Sequence, residues 1–233
     1  MEKENKRHVQ LPNNMCEDGL TPWHMLVYLS IRRFMNKDYE AYPSLEKISE
    51  LSGLGVKRIK TLVKGIEEKG YFIVGKRGKS NLYKFNRLKS FEPFSYDFLD
   101  NKELTSTEKA YIVASQQYMF KGEEGIGRIN YPNRQLAKKI NVSEFTIRKC
   151  DKSLEEKGYL TLLNDEYRGI ENGKRLKEFN LTKLGQAIVW ILKEHDDKIK
   201  EHSEDISKLT DEVKMLKEEI KRLTEKDKKK FVI

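Results

Sequence analysis

GVKRIKTLVKGIEEKGYFIVGKRGKSNLYKF, residues 55–85, decides how the rest of the chain is read. Ile59, Leu62, Val63 and Ile66 fall at i, i+3, i+4 and i+7, so one face of a helix is apolar. Lys57, Arg58, Lys60, Thr61 and Lys64 fall on the opposite face. Gly70 ends that helix where a left-handed residue is wanted, and residues 71–74 read as a strand. A basic, glycine-bearing turn at 75–80 returns the chain into a second strand at 81–85. A basic helix followed by a basic hairpin presents cations to an anionic, grooved partner, and duplex DNA is the obvious candidate.

Composition narrows the rest. The chain has 233 residues, net charge +9 and 36% charged residues, too polar for one large core but long enough for two small domains and an extension. No signal peptide is read, and the longest purely apolar run, residues 187–192, is far short of the roughly 20 residues that span a bilayer. Two cysteines, Cys16 and Cys150, fit a reducing cytoplasm, and Cys150 falls on the apolar side of a predicted helix as a buried free thiol. Four scattered histidines give no metal-site spacing, so neither metal nor cofactor is expected. The turn at 75–80 ends like a phosphate loop, but the glycine that loop requires would fall at Ile73, and the segment joins two strands. The glycines of 122–127 read as a plain loop. With acidic residues mostly in helix caps and on exposed faces, and no nucleophile–base set, a non-enzymatic protein is expected.

The chain repeats itself. Val9 to Leu11 read as a short strand. Thr21 caps a helix with Pro22 at its first position, running to about Met35, and Ser44 caps a second helix through Leu51. Residues 52–55 are a tight turn before the basic helix. The same order recurs: residues 91–99 match the opening segment, Thr105 matches Thr21 at an offset of 84, Tyr131-Pro132 match Tyr42-Pro43, and residues 155–159, EEKGY, match 67–71 at an offset of 88. Thr105 and Glu108 have capping-box spacing. A second pair of strands, 159–163 and 175–181, is joined by a longer turn.

Strand, helix, helix, turn, helix and hairpin in each unit resembles the winged helix-turn-helix family. The residues 42–71, with Tyr42-Pro43-Ser44 at their start, look like the modules of plasmid and phage replication proteins and of bacterial regulators. The 131–159 copy, with Asn141-Val-Ser143 in its turn, is similar. The resemblance, over roughly residues 9–181, implies two tandem winged helix-turn-helix domains; with the C-terminal coiled-coil helix read below from its heptads, the fold expected is α+β and mainly helical. The boundaries are a flexible N-terminus at 1–8, a first winged-helix domain at 9–90, a second at 91–181, and a coiled-coil dimerisation helix at 182–230.

It also implies that the third helix of each unit enters the major groove while the hairpin wing touches phosphate or the minor groove. Carried onto this chain, Lys57, Arg58, Lys60, Thr61 and Lys64 face DNA, with Lys57 and Arg58 favoured as base readers, and Lys76, Arg77, Lys79 and Asn81 supply the wing. The matching second-unit positions are Phe145, Thr146, Arg148, Lys149 and Lys152, and Glu144 beside them opposes phosphate but could accept from cytosine N4. Charge separates the copies. Residues 21–90 hold 15 Lys and Arg against 6 Asp and Glu, whereas residues 91–181 hold 15 of each. The first unit is therefore expected to dominate DNA affinity, the second to add fewer contacts or to hold protomers together.

From about Thr182 a long helical pattern begins. Its a positions are Leu192, Ile199, Ile206, Val213 and Ile220, and its d positions are Ile188, His195, His202, Leu209, Leu216 and Leu223. β-Branched residues at a with leucine at d favour a parallel two-stranded coiled coil, and Glu212 at g could pair with Lys217 at e of the partner. The dimerisation residues are Ile199, Ile206, Leu209, Val213, Leu216, Ile220 and Leu223, with His195 and His202 loosening the seam. The expectation is a cytoplasmic, homodimeric, sequence-specific double-stranded DNA-binding protein, bacterial or encoded by a plasmid or phage, with no membrane partner. Transcription regulation and DNA replication or partition are the competing roles. A structural assembly protein that docks partners on its winged helices is the alternative.

Overall fold

The computed structural model describes residues 8–78, 80–121, 125–164, 175–185 and 202–220. The chain falls into two compact units, Met1–Val189 and Trp190–Ile233.

The larger unit is α+β, built from helices and small antiparallel sheets. β1 (His8–Pro12) takes in His8, the last residue of the terminus expected to be flexible. α1 (Pro22–Arg32) has Pro22 in its first turn and Thr21 as N-cap, and the Thr21 N–H donates to His24 Nδ1 at 3.1 Å. It ends before Met35 because its last turn tightens, with i→i+3 bonds from Phe34 to Ile31 and from Met35 to Arg32. β2 (Glu40–Ala41) follows, and then α2 (Leu45–Ser52), whose N-cap Ser44 Oγ accepts from the Lys47 N–H at 3.2 Å. Gly53 turns at φ 66° into α3 (Val56–Glu68), and Gly70 at φ 75° releases α3 into β3 (Phe72–Arg77) and β4 (Ser80–Phe85). The sheet order is β2-β4-β3.

The second half runs β5 (Phe91–Ser95), α4 (Tyr96–Asp100), α5 (Ser106–Ser115), a 3-10 turn at Gln116–Tyr118, β6 (Phe120–Lys121) and β7 (Ile126–Ile129). It continues with α6 (Asn133–Lys139), α7 (Glu144–Glu156), β8 (Leu160–Asn164) and β9 (Arg175–Asn180), with sheet order β6-β7-β9-β8. β7 corrects the reading of 122–127 as loop: Gly127 lies within the strand. Its lack of a Cβ leaves room for Met119 Sδ and Leu181 Cδ2, which such an atom would meet at 2.9 and 3.2 Å.

Long-range contacts tie the halves together. β1 pairs antiparallel with β5, from His8 opposite Ser95 to Pro12 opposite Phe91. Met25 to Ile31 of α1 and Ala110 to Ser115 of α5 are buried, and the two helices pack on each other. A helix apolar all round must be covered on all sides, and α1 and α5 cover each other. The turns between the paired helices add to this. Asn141, at φ 55°, donates through Nδ2 to the carbonyls of Cys16 and Leu20 at 2.7 and 3.0 Å. Gly53, its equivalent 88 residues earlier, lies where an added Cβ would touch Ser106 Cβ at 3.4 Å.

The cores differ in chemistry. In the first half Tyr28, Phe72, Tyr83 and Phe85 interlock with ring centroids 5.3–6.2 Å apart. In the second, Glu108 is buried in the capping box expected of it with Thr105, whereas Asp151 is buried on the apolar stripe of α7, away from the caps and exposed faces where most acidic residues are expected. Glu108 accepts from Ser153 Oγ, Lys157 Nζ and the Thr105 N–H. Burial works to raise its carboxyl, but these donors outweigh it and hold it below the ordinary range. Cys16 and Cys150 are buried free thiols, each pushed up to about 12 chiefly by burial.

In the smaller unit residues 202–220 form a helix, α8. Ile206, Leu209, Val213, Leu216 and Ile220 lie 48–63% exposed along it. His202 begins α8, whereas His195, Ile199 and Leu223 lie outside the described residues.

Candidate nucleic-acid interface

The apolar stripe of α3 fixes which way its cations point. Ile59, Leu62, Val63 and Ile66 are buried against α1 and α2, which turns Lys57, Arg58, Lys60, Thr61 and Lys64 to solvent, and all five are exposed. Among the described residues no carboxylate lies within ion-pair distance of Lys57, Arg58 or Lys60. Lys64 reaches Glu68 at 3.7 Å with both side chains largely exposed, a pair worth a few tenths of a kcal/mol at most. The N-cap of the helix is Gly55, which carries no capping side chain. The N-terminal end of α3 thus adds the positive end of its dipole to an already cationic face.

Arg58 is held by an aromatic partner that the sequence reading missed. Its guanidinium lies 4.7 Å from the centroid of the Trp23 ring, in the first turn of α1. A cation stacked in this way has less rotamer freedom to lose when it engages a ligand. Beside it, burial keeps the His24 imidazole below its usual value, and the Arg58 charge acts in the same direction.

The hairpin is organised alike. Lys76 and Asn81 are cross-strand partners, and Lys76 Nζ donates to Asn81 Oδ1 at 2.7 Å while Asn81 Nδ2 donates to Tyr83 OH at 3.2 Å. Asn81 is therefore a brace for Lys76. Arg77 stacks on Tyr42 at 4.5 Å, and Gly78 at φ 61° makes the turn. Lys79 lies outside the described residues. Neither Trp23 nor Tyr42 lies within ten residues of the arginine it supports, so the pairing has no local sequence signal.

In the second half α7 buries Ile147, Cys150, Asp151 and Leu154 and exposes Phe145, Arg148, Lys149 and Lys152. Its cations are less free than those of α3. Arg148 is paired with Glu144 at 2.6 Å, and Lys152 lies 4.0 Å from Glu156. Thr146 Oγ1 is 2.8 Å from the cap oxygen of Ser143. Lys149 has no ion pair among the described residues.

The structure thus brings Lys57, Arg58, Lys60, Thr61 and Lys64 onto one exposed helix face, with Lys76 and Arg77 on the hairpin that follows it. This suits a polyanion with a groove wide enough for a helix. Among the described residues no cluster of His, Cys, Asp and Glu could hold a metal ion, and no helix is long and apolar enough to cross a membrane. A search of curated proteins finds no match to the chain. Residues 18–72, which carry α1, α2 and α3, match the family model described as a helix-turn-helix domain, and this supports the resemblance of the chain to winged helix-turn-helix DNA-binding proteins.

Proposed function

We propose that this is a non-catalytic, sequence-specific double-stranded DNA-binding protein that works as a homodimer, with two winged helix-turn-helix units in each chain. The observation that carries the reading is the exposed cation face of α3, where Lys57, Arg58 and Lys60 have no ion pair among the described residues, adjoining the braced cations of the β3–β4 hairpin. The first unit supplies most of the affinity. The second, with Arg148 and Lys152 paired to carboxylates, contributes fewer phosphate contacts. The apolar seam of α8 supports a parallel coiled coil with a second copy, because so regular a stripe left in water gains most by covering itself. Two linked chains suit repeated half-sites in a promoter or in the replication or partition region of a plasmid or phage.

A second reading, an adaptor that docks proteins on its winged helices, draws on the charge balance of residues 91–181 and the exposed Phe120 and Phe145. Electrophoretic shift of random duplex DNA at low salt separates the two. Retardation at micromolar protein is expected, and none at any concentration would sink the DNA reading. Sedimentation of the intact protein should give a dimer, and a Leu209→Asp/Leu216→Asp variant a monomer.

A further inference from the structure

Phe145 is the second residue of α7 and is 76% exposed, although a phenyl ring is among the side chains that gain most from burial. Its counterpart 88 residues earlier is Lys57. One first-turn position therefore carries a cation in the first half and an apolar ring in the second. The polar groups around the ring are already engaged: Arg148 with Glu144 at 2.6 Å and Thr146 Oγ1 with Ser143 Oγ at 2.8 Å. Donors suited to guanine O6 and N7 are thus replaced or occupied at the front of α7. The exposed residues flanking Phe145 are polar or charged, and Lys149 is free to meet a phosphate. That surrounding suits a charged, grooved partner better than an apolar protein surface. The one apolar group that a base pair presents in the major groove is the 5-methyl of thymine.

We infer that Phe145 is a base-reading residue that takes a thymine 5-methyl group in the major groove, so that the two halves of the chain read unlike sequences. The inference rests on the DNA-binding reading of the chain. Lys57 and Arg58 select purine acceptors, and Phe145 selects thymine.

The test compares two-turn duplexes of alternating dA·dT with the same duplexes carrying dU for dT, which removes only the methyl groups. Binding of the full chain is followed by fluorescence anisotropy at low salt. The wild type should prefer the thymine duplex by about four-fold for each methyl contacted. Phe145→Ala, at an exposed position, should fold normally and bind both duplexes alike, whereas Lys57→Ala should weaken both while keeping the preference. Equal binding of the two duplexes by the wild type, or a preference that survives Phe145→Ala, overturns the assignment. Failure to bind either duplex overturns the DNA reading itself and this assignment with it.

Discussion

Asp151→Ala should cost the second half of the protein far more than its surface charge count suggests. In the first half Val27, Val63 and Tyr83 are all buried. The equivalent positions of the second half hold Tyr111, Asp151 and Lys177. Lys177 Nζ donates to Asp151 Oδ2 at 2.6 Å and to Tyr111 OH at 2.9 Å, and Tyr111 OH donates to Asp151 Oδ1 at 2.7 Å. Lys177 is only 1% exposed and Asp151 4%. Burial drives the Lys177 ammonium below its usual value, and the attraction of Asp151 only partly counters it. Burial, reinforced by Asp151, raises the Tyr111 phenol well above its ordinary range and keeps it a donor.

Removing Asp151 strands a buried ammonium, a loss of about 3–5 kcal/mol. That is a large share of the roughly 5–15 kcal/mol by which a domain is stable. Replacing the whole set by its first-half equivalent, Tyr111→Val with Asp151→Val and Lys177→Tyr, keeps the volume nearly constant. It should be neutral or stabilise by about 1–4 kcal/mol. Urea denaturation at neutral pH, followed by circular dichroism, measures both variants. A loss below about 1 kcal/mol for Asp151→Ala, or a triple variant less stable than that single one, would refute the reasoning.

Three further outcomes are expected. A Lys57→Ala/Arg58→Ala variant should lose discrimination between duplex sequences by about 1–3 kcal/mol per base contact, whereas Lys76→Ala/Arg77→Ala should weaken all duplexes alike and lower the salt slope by about two; equal effects in both variants would undo the division between reader and wing. Asn141→Ala removes two hydrogen bonds and places alanine at positive φ, so thermal unfolding should report a loss of about 1–3 kcal/mol, only part of it recovered by Asn141→Gly. Because the folded His24 has a lowered pKa, the unfolded chain binds its proton first: the stability tied to His24 is fully present above about pH 6.5 and falls as pH drops towards the folded value. His24→Gln, which can still cap, should flatten that part of the stability–pH curve; an unchanged slope would remove His24 as its cause.

The helices were legible because their signals are local. Thr21-Pro22, Ser44 and Gly70 punctuate the chain, and the stripe from Ile59 to Ile66 repeats at helical spacing. The cation face of α3 followed directly, since burying that stripe leaves Lys57, Arg58 and Lys60 nowhere else to point. The short strands β2, β6 and β7 span two to four residues, too few to alternate, and β7 contains a glycine. The β1–β5 pair joins residues some 80 apart, which no window can sense. Asp151 was overlooked because a carboxylate reads as solvated. Its place on the stripe with Ile147, Cys150 and Leu154, opposite Val63 in the repeat, was the available signal. The stacking of Arg58 on Trp23 and of Arg77 on Tyr42 depends on helix and hairpin packing, so it emerges only in three dimensions.

The central claim is that α3 and its hairpin grip a phosphate backbone, and the salt dependence of duplex binding tests it most directly. Lys60, Lys64, Lys76 and Arg77 neutralise up to four phosphates per chain, and the logarithm of the binding constant should fall with the logarithm of salt concentration at a slope of about −4 for each chain bound. Alanine at Lys60 and Lys64 together should reduce that slope to about −2. Binding whose slope is near zero, or is unchanged in the two-alanine variant, would contradict the account.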